Sequence, residues 1–272
     1  MQINFTYPEG KTKALTFSYD DGINTDRQLV EIFNKYKVKG TFHLNSGLLD
    51  KGNHIAASEV AELYKGHEVS CHSVTHPSLG TVSRESVIAE ILEDRRSLEA
   101  LTGYPVTGLS YPYGNYNSEV LYILKALGIV YSRTVKSTGG FSLPDNFLEW
   151  HPTCHHSHHG DIMEKAEAFE KSSQSLCLFY VWGHSAEFSS KYKTKLGWDL
   201  IENFCAKVSS NDTVWYATNI EIYEYLTALK QIQFSVDRKI IRNLSSQPVW
   251  FEINKKLVKL ESGKLINNKR LS

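Results

Sequence analysis

The chain has 272 residues, with 30 Lys+Arg against 30 Asp+Glu, so its formal net charge is zero. That balance, with a pI near 7.2, excludes the strongly basic surface of a nucleic-acid binder. Apolar residues at 41% and aromatics at 12% exclude a wholly disordered chain, and no apolar run approaches the ~18 residues of a membrane span.

In chain order, short β-branched and aromatic runs alternate with helical patterns. Strands are predicted at Ala14–Tyr19, Gly40–Leu44, His67–Cys71, Gly108–Tyr111, Ile129–Thr134, Leu176–Trp182 and Thr213–Ala217. Between them, Val87, Ile91 and Leu98 share a helical face with Ile88, Leu92 and Leu101, and Gly103 supplies a stop. A second helix opens at an Asn117 cap and stops at Gly128. Asp161-x-x-Glu164 and Thr218-x-x-Glu221 read as capping boxes for two later helices. Strand–helix alternation repeated about seven times predicts an α/β fold whose parallel sheet closes into a barrel. After Lys230 the pattern becomes short alternating strands, at Ile232–Val236, Val249–Ile253 and Leu257–Leu260. The expected organisation is therefore a barrel over 1–230 and a small β-rich extension over 231–272, with a frayed tail from Asn267.

Cys71, Cys154, Cys177 and Cys205 are too few and too scattered for a disulfide scaffold, and none forms a C-x-x-C pair. The start, Met1-Gln-Ile-Asn-Phe-Thr-Tyr-Pro8, lacks the basic and apolar regions of a signal peptide. The expectation is a cytoplasmic protein with reduced thiols, extracellular only if a leader has been removed. Sequons at Asn4, Asn211 and Asn243 carry little weight against this, because such triplets arise by chance.

Three polar clusters close predicted strands, where a barrel carries its active site. Ser18-Tyr19-Asp20-Asp21-Gly22 ends the first strand. Two adjacent carboxylates there ionise together only beside a cation or basic partner, although an Asp-Asp-Gly turn capping the next helix fits the same residues equally well. His72-Ser-Val-Thr-His76 follows the third strand. Two histidines four apart suit one metal, or a turn with no metal. Adding a carboxylate from the neighbouring strand end makes a three-ligand site with an open position for water. Phe179-Tyr-Val-Trp182-Gly-His184 ends an apolar strand in a lone histidine, a residue type more often found packing; at a strand mouth opposite a metal it suits a general acid.

In this order and at these separations the blocks resemble the polysaccharide deacetylases (carbohydrate esterase family 4, the chitin- and peptidoglycan-deacetylase group), over roughly residues 12–229. The resemblance implies a distorted, TIM-like (β/α)7 barrel. Ser18–Gly22 is similar to the family's Thr-Phe-Asp-Asp-Gly motif, which makes Asp20 the general base and Asp21 a metal ligand. His72 and His76 match the His-(Ser/Thr)-x-x-His metal pair. Tyr111-Pro-Tyr113-Gly114 resembles the third motif, so Tyr113 would line the cleft and lend its main-chain N–H to the oxyanion. His184 in Trp182-Gly-His184 would be the general acid.

Two departures stand out. Ser110 occupies the place where the third motif usually begins with an arginine that orients the base, and Arg133 or Glu187 is a candidate replacement. The fourth motif, usually Asp-Trp, has only Glu149-Trp150 to represent it. The implied cofactor is one divalent metal ion, Zn first with Co, Ni or Mn as alternatives. The implied chemistry is hydrolysis of an N-acetyl amide on a saccharide, with Tyr113, Trp150 and Trp182 offering flat faces to the sugar; Trp150 suits core packing equally well. An O-acetyl (xylan-type) esterase, a carbohydrate-binding pseudoenzyme and a metal-free amidohydrolase are the alternatives. The run His151-Pro-Thr-Cys154-His155-His156-Ser-His158-His159 is a competing metal candidate, but it lacks the paired spacing of a structural zinc site and reads as a loop near the cleft.

Overall fold

The structure, a computed structural model, describes residues 2–157, 162–190 and 196–267. The chain enters on β1 (Ile3–Thr6) and continues through β2 (Lys13–Asp20), α1 (Asp26–Tyr36), β3 (Gly40–Leu44), α2 (Val60–Leu63), β4 (Glu68–Cys71) and α3 (Arg84–Thr102). It then forms β5 (Gly108–Ser110), α4 (Ser118–Ala126), β6 (Tyr131–Arg133), β7 (Cys154–His155), α5 (Ile162–Lys171), β8 (Cys177–Gly183) and α6 (Trp198–Val208). β9 (Val214–Tyr216) and α7 (Asn219–Lys230) follow, and β10 (Ile232–Phe234), β11 (Ile240–Asn243), β12 (Val249–Ile253), β13 (Lys256–Leu260) and β14 (Leu265–Asn267) complete the described chain.

Local chemistry sets the helix ends. Ser83 accepts from Ser86 N and Asn117 from Val120 N, and both α3 and α4 stop just before a left-handed glycine, Gly103 or Gly128. Thr218 and Glu221 form the expected capping box of α7. The other expected box begins at Asp161, outside the described residues.

The parallel sheet runs β6-β5-β4-β3-β2-β8-β7. Its ends are drawn together by a parallel bridge between Arg133 and Trp150, with Trp150 N donating to Ser132 O and Thr134 N to Trp150 O. The result is a distorted (β/α)7 barrel. Two details differ from expectation. Thr213–Ala217 does form a strand, β9, but it lies beside the lower half of β2, pairing Lys13 with Val214, and is not part of the ring. The ring position goes to β7, inside the run expected to be a loop, where Cys154 and His155 pair with Val181 and Trp182 of β8. A two-residue ladder has no periodicity to read.

Alternation along the strands divides the sheet's two faces. Leu15, Phe17 and Tyr19 of β2, with Phe179 and Val181 of β8, join the apolar core beneath α1, α3, α5 and α6. Several of the opposite positions are polar and buried, Thr16, Ser18, Asp20, Thr41 and Glu68 among them. Thr16 Oγ1 donates to Asn219 Oδ1 at 2.8 Å, and Thr41 Oγ1 accepts from Asn219 N and donates to Glu68 Oε2 at 2.9 Å. Glu68 also accepts from Ile220 N and, at 2.6 Å, from Tyr131 Oη. Where barrels usually stack branched aliphatic side chains, this one carries a hydrogen-bonded column rising from the N-terminus of α7 toward Asp20.

Beyond α7 the chain builds two three-stranded antiparallel sheets, β1-β12-β13 and β10-β11-β14. The first takes a strand from the other end of the chain, with Phe5 opposite Phe251 and Thr6 opposite Trp250. Tyr225 of α7 ties it to the barrel, donating to Thr6 O and accepting from Trp250 N. A second apolar cluster containing Tyr7, Ile222, Tyr225, Ile241, Val249 and Phe251 fills the space between.

Candidate active site

At the C-terminal mouth of the barrel, β2 delivers Asp20 and Asp21, the segment after β4 delivers His72 and His76, and the segment after β8 delivers His184. The backbone there departs repeatedly from ordinary geometry: Asp21, Ser73, His76 and Tyr113 all take left-handed φ, between 57° and 82°. Such residues persist only where surrounding contacts over-determine them, and they gather at functional sites.

His72 Nε2 lies 3.5 Å and His76 Nε2 3.7 Å from Asp21 Oδ1, so the three side chains converge on one point. His72 is fully buried, and its Nδ1 sits 2.9 Å from Ser110 O, an acceptor. That contact places the ring proton on Nδ1 and turns the Nε2 lone pair into the cluster. Burial, outweighing Asp20 and Asp21, holds this imidazole below its usual range, in the neutral form a metal ligand needs. The main chain of His72 is fixed from both sides: Asp94 Oδ2 of α3 accepts from its N, and Asn45 Nδ2 donates to its O at 2.6 Å. Burial pushes the Asp94 carboxyl up to about 7.

Asp20 is buried beside this cluster, its Oδ2 3.9 Å from His72 Nε2. Ser110 Oγ donates to its Oδ1 at 3.0 Å, and Arg133 Nη2 donates to Oδ2. Burial alone would push this carboxyl up, but Arg133, then His72 and His43, hold it well below the usual carboxylate range. Ser110 and Arg133 are register partners on β5 and β6. The arginine that the third motif lacks has therefore moved one strand across and still reaches the aspartate. Its guanidinium is fully buried, 4.3 Å from the centroid of the Trp182 ring.

His184 Nδ1 is 2.9 Å from Glu187 Oε1. Burial pushes this imidazole down, yet the Glu187 hydrogen bond and the charges of Asp20 and Asp21 raise it above its usual range, so it favours the protonated form. Gly183, just before it, is required by space: a Cβ there would fall 2.0 Å from His156 Nδ1.

The three aromatics fare differently. Tyr113 is 71% exposed and sets its ring edge-on to His76 at 4.5 Å, open to a ligand. Trp182 is 8% exposed, with one face taken by Arg133. Trp150 is 1% exposed and packs against Tyr131, Phe147 and Tyr180. The expectation that Trp150 meets sugar is corrected, because the bridge that closes the barrel turns its ring into the core. Asn45, Asp94 and the Arg133–Asp20 pair are further parts of the site. Of these, only Arg133 carried a signal in the sequence, as a cation inside a predicted strand.

A family model for polysaccharide deacetylases matches residues 7–132. Over that stretch the chain is similar to the polysaccharide deacetylases. The match contains Asp20, Asp21, His72, His76 and Tyr113 and stops just before Arg133, His155, His156, His184 and Glu187. The chain is 33% identical over 115 residues to the peptidoglycan-N-acetylmuramic acid deacetylase PdaC of Bacillus subtilis, covering 42% of this chain and 24% of that protein. It is 28% identical over 121 residues to a chitooligosaccharide deacetylase of Sinorhizobium fredii, covering 43% of this chain and 55% of that protein. The chain thus spans only about a quarter of the first-named relative's length. A crystal structure of a candidate polysaccharide deacetylase from Mycobacterium smegmatis superposes with a TM-score of 0.59 at 18% identity, over 84% of this chain and 94% of that one, in agreement with the barrel fold.

Proposed function

We propose that this chain is a metal-dependent hydrolase that removes N-acetyl groups from an acetylated saccharide. The observation that carries this reading is the convergence of Asp21, His72 and His76 beside an aspartate held ionised by a buried arginine. Two imidazoles and a carboxylate, with His72 Nε2 left bare by the Ser110 contact, make a donor set suited to Zn2+ or a neighbouring divalent ion. Bound there, such an ion would supply Lewis-acid polarisation of the acetyl carbonyl and a water acidified from ~15.7 towards ~7.

The chain's own groups account for the proton traffic. Asp20, charged at neutral pH and fixed by Ser110 and Arg133, takes the proton of the attacking water. His184, held protonated by Glu187, donates to the departing nitrogen. An amide needs that proton because an amide anion is a poor leaving group, which favours N-acetyl over O-acetyl substrates. Tyr113 offers its main-chain N–H to the developing oxyanion and its exposed ring to a sugar face.

The test is acetate release by the purified, Zn2+-loaded chain from acetylated chitooligosaccharides, peptidoglycan fragments and acetylated xylan. Release from the first two is expected, and none from any of the three rejects the proposed activity. Asp20→Asn should lower turnover about 10²–10⁴-fold while bound zinc is retained; undiminished hydrolysis refutes its role as base.

A further inference from the structure

We propose that His155, His156 and Glu187 form a second site for a divalent transition-metal cation, of the Zn2+ type, next to the first cluster. His155 ends β7, His156 follows it, and Glu187 lies in the turn Ser185–Phe188 after β8, so neighbouring strand ends present all three from the same mouth of the barrel. All three are buried, and their ligand atoms lie within 4.8 Å of one another.

The geometry is that of ligands around a common centre. His156 Nε2 is 2.9 Å and His155 Nε2 3.5 Å from Glu187 Oε2. Two ligand atoms on a tetrahedral ion with bonds of about 2.0–2.1 Å stand roughly 3.3 Å apart, and the two observed spacings bracket that. At 2.9 Å an imidazole N–H aimed at the carboxylate would make a strong hydrogen bond. Yet His156 Nε2, with its side chain out of reach of solvent, has no hydrogen-bond partner among the described residues.

The opposite ring nitrogens are both held by neighbours. His156 Nδ1 is 3.2 Å from Tyr19 Oη and stacks on the Tyr19 ring. Ser157 N donates to His155 Nδ1 at 3.2 Å, and Ser157 Oγ lies 2.8 Å from the same atom. Two imidazoles and one carboxylate suit Zn2+, Ni2+ or Cu2+ better than Mg2+ or Ca2+, which prefer oxygen ligands. Glu187 turns its other oxygen, Oε1, to His184 Nδ1, so the second site and the proposed general acid share a single carboxylate.

Stoichiometry tests this without any assay of turnover. The full chain, stripped with a chelator, is titrated with Co2+ and followed by its visible d–d bands, and bound Zn2+ is counted by elemental analysis. The wild-type chain should take up two equivalents, His72→Ala one, and His155→Gln and His156→Gln one each, with near-UV circular dichroism reporting that every variant is folded. Two equivalents that survive both His155→Gln and His156→Gln overturn the second site. So does a single wild-type equivalent that persists in those variants and disappears in His72→Ala. A single equivalent with the reverse dependence upholds the second site and rejects the first cluster as a metal centre.

Discussion

Glu68 lies at the foot of the polar column, and Glu68→Gln should make the protein's stability less dependent on pH. Its carboxyl is fully buried, and burial raises it from an ordinary 4.5 to about 7, against the lowering effect of hydrogen bonds from Tyr131, Ile220 and Thr41. A carboxylic acid raised in the folded state costs nothing below its unfolded pKa, where both states hold the proton. The cost grows as pH climbs through 4.5 and is complete above about 7, where folding has to bury a charge that the unfolded chain keeps in water. At about 1.36 kcal/mol per pKa unit, that interval comes to about 3 kcal/mol. Glutamine fits the same contacts. Its carbonyl can face Thr41 Oγ1 and Ile220 N, and its NH2 can donate to Tyr131 Oη, whose own proton has Ser70 Oγ as an acceptor at 3.1 Å. Stability should be measured for both proteins by urea unfolding between pH 4.5 and 8. The variant should gain on the wild type as pH rises, by about 3 kcal/mol, or about 6–12 °C in Tm for a chain of this size. Because every other titrating group is common to both proteins, parallel pH profiles would refute the assignment of Glu68 as the buried acid.

Other outcomes follow from the same contacts. Arg133→Met strands the buried Asp20 carboxylate and should cost about 3–5 kcal/mol at pH 7, read by urea unfolding; a loss within error would mean that the pair does not hold the aspartate. Trp150→Ala should cost about 3–5 kcal/mol through the cavity it leaves and leave KM for acetylated oligosaccharides unchanged, whereas a raised KM with intact stability would return this ring to the substrate. His184→Gln should lower kcat about 10²–10⁴-fold with the first cation still bound, and full activity would remove it as the acid.

Much of the mouth of the barrel was legible because its signals are local. Asp20 and Asp21 are adjacent, His72 and His76 are four apart, and Gly103, Gly128 and the Thr218–Glu221 box punctuate their helices in the sequence itself. The parts that were not legible depend on register between distant strands. Nothing near Ser110 says that Arg133 lies opposite it, and only the β5–β6 ladder does so. Nothing in His155-His156 announces Glu187, some thirty residues later, because the contact is made by two strand ends meeting at the barrel rim. Trp150 beside Glu149 offered an aromatic at a familiar position. Its direction came from the bridge to Arg133, a long-range constraint with no local trace.

The pairing of β1 with β12 bears on how the polypeptide reaches its native state during synthesis. Thr6 is made long before its ladder partner, Trp250. Until then β1 has no described strand to hydrogen-bond with and presents a bare edge, the kind of segment that seeks neighbours on other nascent chains. Closing so long a loop is slow, so the yield of soluble protein should depend on how well β1 is shielded while the barrel forms.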